Sequence, residues 1–123
     1  MSPTILIIDD EKRIRILLRI MLEKEGYNIL EAENGEEGIR LFHSHTPDLI
    51  ISDIIMPEKE GVETICELRR SNPEVKIIAI SGGGRHLAED YLPLAKELGA
   101  VKIMRKPIFR EDLIQTVTEV LSP

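Results

Sequence analysis

Four short stretches of this chain carry side chains that could do chemistry together: Asp9-Asp10-Glu11, Asp53, Ser81 and Lys106. Each follows an apolar run. Residues 5–8 lead into the three acids, Leu49, Ile50 and Ile51 precede Asp53, residues 75–80 end at Ser81, and residues 101–105 lead into Lys106-Pro107. Clustered acids with one hydroxyl and one ammonium make a hard-cation site beside a nucleophile and an anion-binding lysine. A lone strand-terminal aspartate is usually a turn residue or helix cap, and a lone lysine a solvated charge. The combination at successive run ends gives these residues their meaning.

For the groups to meet, the runs must be parallel strands whose carboxyl ends face one crevice, since ligands of open α/β sheets bind beyond those ends where strand order reverses. The intervening segments have helical periodicity. Ile14, Leu17, Leu18, Met21 and Leu22 repeat on one face, with Arg13, Arg15, Arg19, Glu23 and Lys24 elsewhere, and Gly26 is placed to close that helix in a left-handed turn. Residues 28–32 predict a weaker edge strand. Asn34 with Glu37 predicts a capped helix burying Gly38, Ile39, Leu41 and Phe42, ended by Thr46-Pro47-Asp48.

Residues 60–70 predict a third helix, 76–80 the fourth strand and 101–105 the fifth. Leu113, Ile114, Val117, Val120 and Leu121 mark a terminal amphipathic helix. Between them, Pro93 interrupts the pattern of Leu87, Tyr91, Leu94, Ala95 and Leu98. Either a helix begins near Asp90 with Pro93 in its first turn or it is kinked there; a kinked or short helix is expected. Five strands alternating with five helices predict a doubly wound α/β domain with a parallel sheet, spanning residues 1–123 as a single unit.

The formal charge of −6, with dispersed acids, does not support direct nucleic-acid binding. No apolar run reaches the roughly 18 residues of a membrane span, and the lone Cys66 fits a reducing, cytoplasmic setting. Cys66 is expected in the core; His43, His45 and His86 are expected at the surface. Gly82-Gly83-Gly84 lacks the Lys-Ser/Thr of a nucleotide loop, so mobility is its expected role.

Asp9-Asp10, Asp53-Ile54-Ile55-Met56-Pro57 with Gly61, Ser81-Gly82 and Lys106-Pro107 together resemble the receiver domains of two-component response regulators, over essentially the whole chain. The resemblance implies strand order 2-1-3-4-5 in a flavodoxin-like arrangement. It implies that Asp53 is the phosphoacceptor, taking its phosphoryl group from a sensor histidine kinase or histidine phosphotransfer domain. Asp10, Asp53 and the backbone carbonyl of Ile55 would hold Mg²⁺, with Mn²⁺ as a substitute, and Asp9 would help through a water. Lys106 and Ser81 would engage phosphoryl oxygens, and the Lys106–Pro107 peptide would be cis.

A downstream protein partner would read the face formed by the fourth helix, fifth strand and fifth helix. Ser81 is the expected sensor, but Ile103 stands where receivers usually place an aromatic readout, and Ile108 where many carry Phe, with Phe109 one place later. The expectation is that loop 82–90 and the fourth helix move, with Ile103 repacking behind Ser81. Ile55 and Gly82 would flank the phosphoryl group; Ile55 offers nothing to orient an attacking water, so a longer-lived aspartyl phosphate than Asn or Glu would give is expected.

The chain reads as a stand-alone receiver that catalyses only its own modification. A Mg²⁺-dependent phosphatase would need a second acid placed after Asp53, and a flavodoxin-like cofactor binder would need a phosphate loop where Asp9-Asp10-Glu11 stands. A phosphate-independent interaction module would not need the intact acids and Lys106.

Overall fold

A computed structural model of the chain describes residues 2–54, 60–81, 97 and 99–122. The apolar runs form β1 (Thr4–Ile8), β2 (Asn28–Ala32), β3 (Leu49–Asp53), β4 (Ile77–Ser81) and β5 (Lys102–Arg105). All pair in parallel, in the order β2-β1-β3-β4-β5. This is the expected 2-1-3-4-5 order, with β2 at an edge. The order reverses between β1 and β3, so the crevice beyond their carboxyl ends lies between Asp9 and Asp53.

The strands are continuous in hydrophobicity because both faces are covered. On one face Leu6, Ile8, Ile50, Ile77 and Ala79 pack with Phe42, Ile65 and Leu68 of α2 (Gly35–His45) and α3 (Glu60–Ser71). On the other, Ile5, Ile7, Leu49, Ile51, Ile78 and Ile80 pack with Leu18 and Leu22 of α1 (Lys12–Glu23) and with Leu113 and Val117 of the C-terminal helix (Arg110–Leu121). Each fully buried Ile or Leu contributes about 2 kcal/mol of transfer free energy. These two layers hold the strand ends in place for the polar groups they carry.

Local signals act largely as expected. Asn34 Oδ1 accepts the Glu37 N–H at 2.8 Å, although Glu37 Oε1 reaches back to the Glu33 N–H at 3.3 Å and not to that of Asn34. Gly26 closes α1 at φ 91°, and Tyr27 then donates to the Leu22 carbonyl at 3.3 Å. Helix α2 lies so close to β1 that a Cβ on Gly38 would stand 2.4 Å from Ile8 Cδ1. Gly38 and Phe42 are therefore enclosed, while Ile39 and Leu41 are only half-buried at the margin of the core.

Cys66, expected in the core, is half-buried on α3 beside the fully buried Ile65, because it sits at the boundary of the covered face. His43 and His45 are exposed. Among the described residues there are four helices. The helix expected around Pro93 falls on residues 82–96 and 98, outside the described residues, as do His86, the Gly82-Gly83-Gly84 run and residues 55–59.

Candidate functional site

Strand β1 delivers Asp9 to the switch point, where its polar atoms are held one by one. Its N–H donates to the Ala32 carbonyl at 3.1 Å, continuing the pairing of β1 with β2. Its carbonyl accepts from Arg15 Nη1 at 2.8 Å, and its Oδ1 accepts the Glu11 N–H at 2.8 Å. That last bond makes a tight acidic turn into α1; the residue capping α1 is Glu11, so neither Asp9 nor Asp10 serves as the cap. Asp9 is 1% exposed whereas Asp10, one residue on, is exposed.

Asp53 closes β3 in register with Ile80 of β4 and is 2% exposed. Helix α3 is packed against this end: a Cβ on Gly61 would come within 2.5 Å of Ile54 Cα and 2.6 Å of the Asp53 carbonyl oxygen. Only a glycine leaves room for that approach. Beyond the strand, the Ile54 N–H donates to the Ile80 carbonyl at 2.9 Å, which keeps the strand end aligned with β4.

Lys106 follows β5 and reaches across the crevice. Its Nζ lies 3.1 Å from Asp53 Oδ2, 3.1 Å from Asp9 Oδ2 and 2.9 Å from Glu11 Oε1, with only 9% of the side chain exposed. Burial alone would lower its pKa, but the hydrogen bond to Glu11 and the charges of Asp53 and Asp9 outweigh it and hold the ammonium above the ordinary lysine range. Burial pushes the Asp9 carboxyl up, against the Glu11 N–H and Lys106, and the charge of Asp10 adds to the rise. One cation thus faces three acids.

Asp9, Asp10, Glu11 and Asp53 can each bring a carboxylate oxygen within 4.8 Å of the others. Asp9 Oδ2 is buried and accepts no hydrogen bond from the described residues, since Lys106 is near but poorly aligned for one. A crowded set of hard oxygen donors with a buried acceptor unfilled fits a divalent cation of the Mg²⁺ or Mn²⁺ type.

Ser81 is fully buried at the end of β4, and its carbonyl accepts the Lys106 N–H at 2.9 Å. The Lys106–Pro107 peptide is cis. Ile103 pairs with Ala79, two steps before the Ser81–Arg105 pair, and packs half-buried against the same core face as Ala79. Asp9, Asp10, Asp53 and Lys106 are thereby brought together, with Ser81 tied to Lys106 through the backbone. Ile55 and Gly82 lie outside the described residues.

Sequence reasoning assigned no individual role to Glu11 or Arg15. Glu11 was visible only as the third acid of a run, and Arg15 only as a member of a polar helix face. Their adjacency to Asp9-Asp10 was a signal for the first; nothing in the periodicity marked the second.

Residues 5–118 match the family described as the response regulator receiver domain. The chain is 31% identical over 122 residues to the chemotaxis protein CheY of Halobacterium salinarum, covering 99% of each. It is 31% identical over 121 residues to the alkaline phosphatase synthesis transcriptional regulatory protein PhoP of Bacillus subtilis, covering 98% of this chain but 49% of that one. It thus spans nearly all of a chemotaxis relative and about half the length of a transcriptional one. A solved receiver domain protein from Clostridium thermocellum has a TM-score of 0.88 at 30% identity, covering 98% of this chain and 94% of that one.

Proposed function

The chain belongs to the response regulator receiver domains, and on that premise we propose that it accepts a phosphoryl group on Asp53 from a phosphohistidine donor, either a sensor histidine kinase or a histidine phosphotransfer domain. Receiver domains are regulatory and not classical enzymes; this one catalyses only its own phosphorylation and dephosphorylation, in the cytoplasm. The observation that carries the reading is Asp53 itself, a buried carboxylate whose Oδ2 lies 3.1 Å from Lys106 with Asp9, Asp10 and Glu11 in reach.

An Asp53 oxygen attacks phosphorus, forming an O–P bond as the P–N bond to the donor imidazole breaks; the leaving nitrogen keeps the bonding pair and is protonated. When bound, Mg²⁺ (or Mn²⁺) neutralises charge developing on the equatorial oxygens. Asp10, Asp53 and the backbone carbonyl of Ile55 would hold it, with Asp9 helping through a water. Lys106 donates to one phosphoryl oxygen and the Ser81 hydroxyl to another.

Drawing Ser81 toward the phosphoryl group biases the packing behind it. Ile103, two register pairs before Ser81 and packed against the core beside Ala79, fills the space. The altered face, comprising the segment between β4 and β5, β5 itself and the C-terminal helix, binds a downstream protein. A groove of about 370 Å³ lined by Ile103, Met104, Ile108, Phe109, Asp112 and Gln115 supports that role.

Intact-mass measurement after incubation with acetyl phosphate tests the reading. Wild type is expected to gain one phosphoryl group with Mg²⁺ and none without it, and Asp53→Asn to gain none in either condition. Uptake that survives loss of Asp53, or no uptake by wild type, would overturn the proposal.

A further inference from the structure

We propose that Arg15 is a positioning residue of the metal-binding loop, locking the Asp9–Asp10 peptide so that Asp9 Oδ2 and the Asp10 carboxylate converge on one cation. The inference rests on the receiver reading of the acidic site. Its starting point is that three of the four polar atoms of Asp9 are engaged elsewhere: the N–H with Ala32 at 3.1 Å, the carbonyl with Arg15 at 2.8 Å and Oδ1 with Glu11 at 2.8 Å. Only Oδ2 remains to face the site.

The Asp9 carbonyl belongs to the peptide plane joining the two acids, so its direction sets how both side chains leave the backbone. Arg15 can hold that plane because it is itself held. Its side chain is 13% exposed, and its Nε pairs with Glu31 Oε1 at 3.4 Å. Glu31 Oε2 takes Arg19 Nη1, and Arg19 Nε reaches Glu23 at 3.8 Å. Glu31 and Ala32 are consecutive on β2, so that strand grips Asp9 twice, directly through its N–H and indirectly through Arg15 at its carbonyl.

Charge and position predict opposite outcomes here. Removing a cation beside the site should tighten metal binding by Coulomb's law, whereas removing a positioning group should weaken it, by roughly ten-fold, the lower end of the range for groups that orient metal ligands. Arg15→Lys keeps the charge and loses the two-pronged geometry.

The test is Mn²⁺ affinity, read from the EPR signal of free Mn²⁺ during titration of the full chain. Expected results are roughly ten-fold weaker binding for Arg15→Ala and Arg15→Lys, and a smaller weakening for Glu31→Gln, which leaves Arg15 unheld. Arg13→Ala, the loss of an exposed arginine on the same helix, is expected to bind as tightly as wild type or more tightly. Thermal midpoints in EDTA separate folding from positioning, and Arg15→Lys with Glu31→Gln carry the test if Arg15→Ala does not fold. Binding at wild-type strength or better in the Arg15 variants overturns the inference alone. A wild type that takes up no Mn²⁺ overturns the receiver reading with it.

Discussion

Two aspartates flank β3, and they meet opposite fates. Asp48, just before the strand, is exposed; its Oδ2 accepts the Thr4 N–H at 2.8 Å and its own N–H donates to the Thr4 carbonyl at 2.8 Å, stitching β1 to β3. Asp53, at the other end, is 2% exposed and pairs with a lysine from beyond β5. At the amino ends of parallel strands the unpaired backbone groups include N–H donors, which can satisfy a carboxylate. At the carboxyl end of β3 the Asp53 carboxylate is buried, and the Lys106 ammonium 3.1 Å away offsets the cost of burying its charge. The end of the strand makes one aspartate a stitch and places the other in the acidic cluster beside Lys106.

The contrast predicts that the lysine at the carboxyl end matters more than any surface pair. Lys106→Met leaves Asp9 and Asp53 buried without their cation and is expected to lower unfolding free energy in metal-free urea titrations by about 3 kcal/mol. Lys102→Met, whose partner Glu119 is as exposed as Lys102 itself at 51%, should leave the midpoint nearly unchanged. Equal effects would dissolve the distinction.

The next largest effect concerns the close approach of α3 to β3. Gly61→Ala meets backbone at 2.5 Å, which cannot rotate away, and is expected to cost about 2 kcal/mol. Gly26→Ala meets open space and loses only the freedom of its left-handed backbone, about 1 kcal/mol. Chemical denaturation compares the two; only Gly61→Ala should also slow phosphoryl uptake.

At the amino end, Asp48→Ala removes one hydrogen bond and is expected to cost about 1 kcal/mol, with phosphoryl uptake by intact mass retained. Loss of uptake in that variant would show that the two ends of β3 are not separable.

The smallest effect is in pH dependence. Because burial raises the Asp9 pKa above its ordinary 3.8, the native state holds a proton the unfolded chain has lost in the window just above that value. Stability therefore falls as pH rises through the window and stays lower above it. Asp9→Asn should gain on wild type across that window and then hold a constant advantage, read from metal-free urea midpoints between about pH 4 and neutral. An advantage that shrank with rising pH would reverse the assigned sign.

Much of the fold was legible from short-range pattern. Unbroken apolar runs announced doubly covered strands, and the helical stripe of Leu18 and Leu22 identified the buried face of α1. Leu17, placed on that face yet 46% exposed, shows the limit: periodicity reports an average face and not which residues a neighbouring element reaches. Arg15, assigned by periodicity to the polar side, is pulled against Asp9 because the loop carbonyl there needs a donor. Cys66 departed from expectation for the converse reason, an apolar neighbourhood in sequence that lies at the core's margin in space.

The sequence by itself determined the strands, most helices, the charged residues that terminate β1, β3 and β5, and the resemblance those residues carry. All of these follow from residue type and spacing along the chain, where the 2.0 and 3.6 residue periods operate. Only the tertiary structure decided that Asp9 is buried while Asp10 is exposed, that Glu11 meets Lys106 across 95 residues of sequence, and that Arg15 holds the peptide between the two acids. Those contacts depend on how the helices and strands pack in three dimensions, and a local period carries no information about the distance between elements.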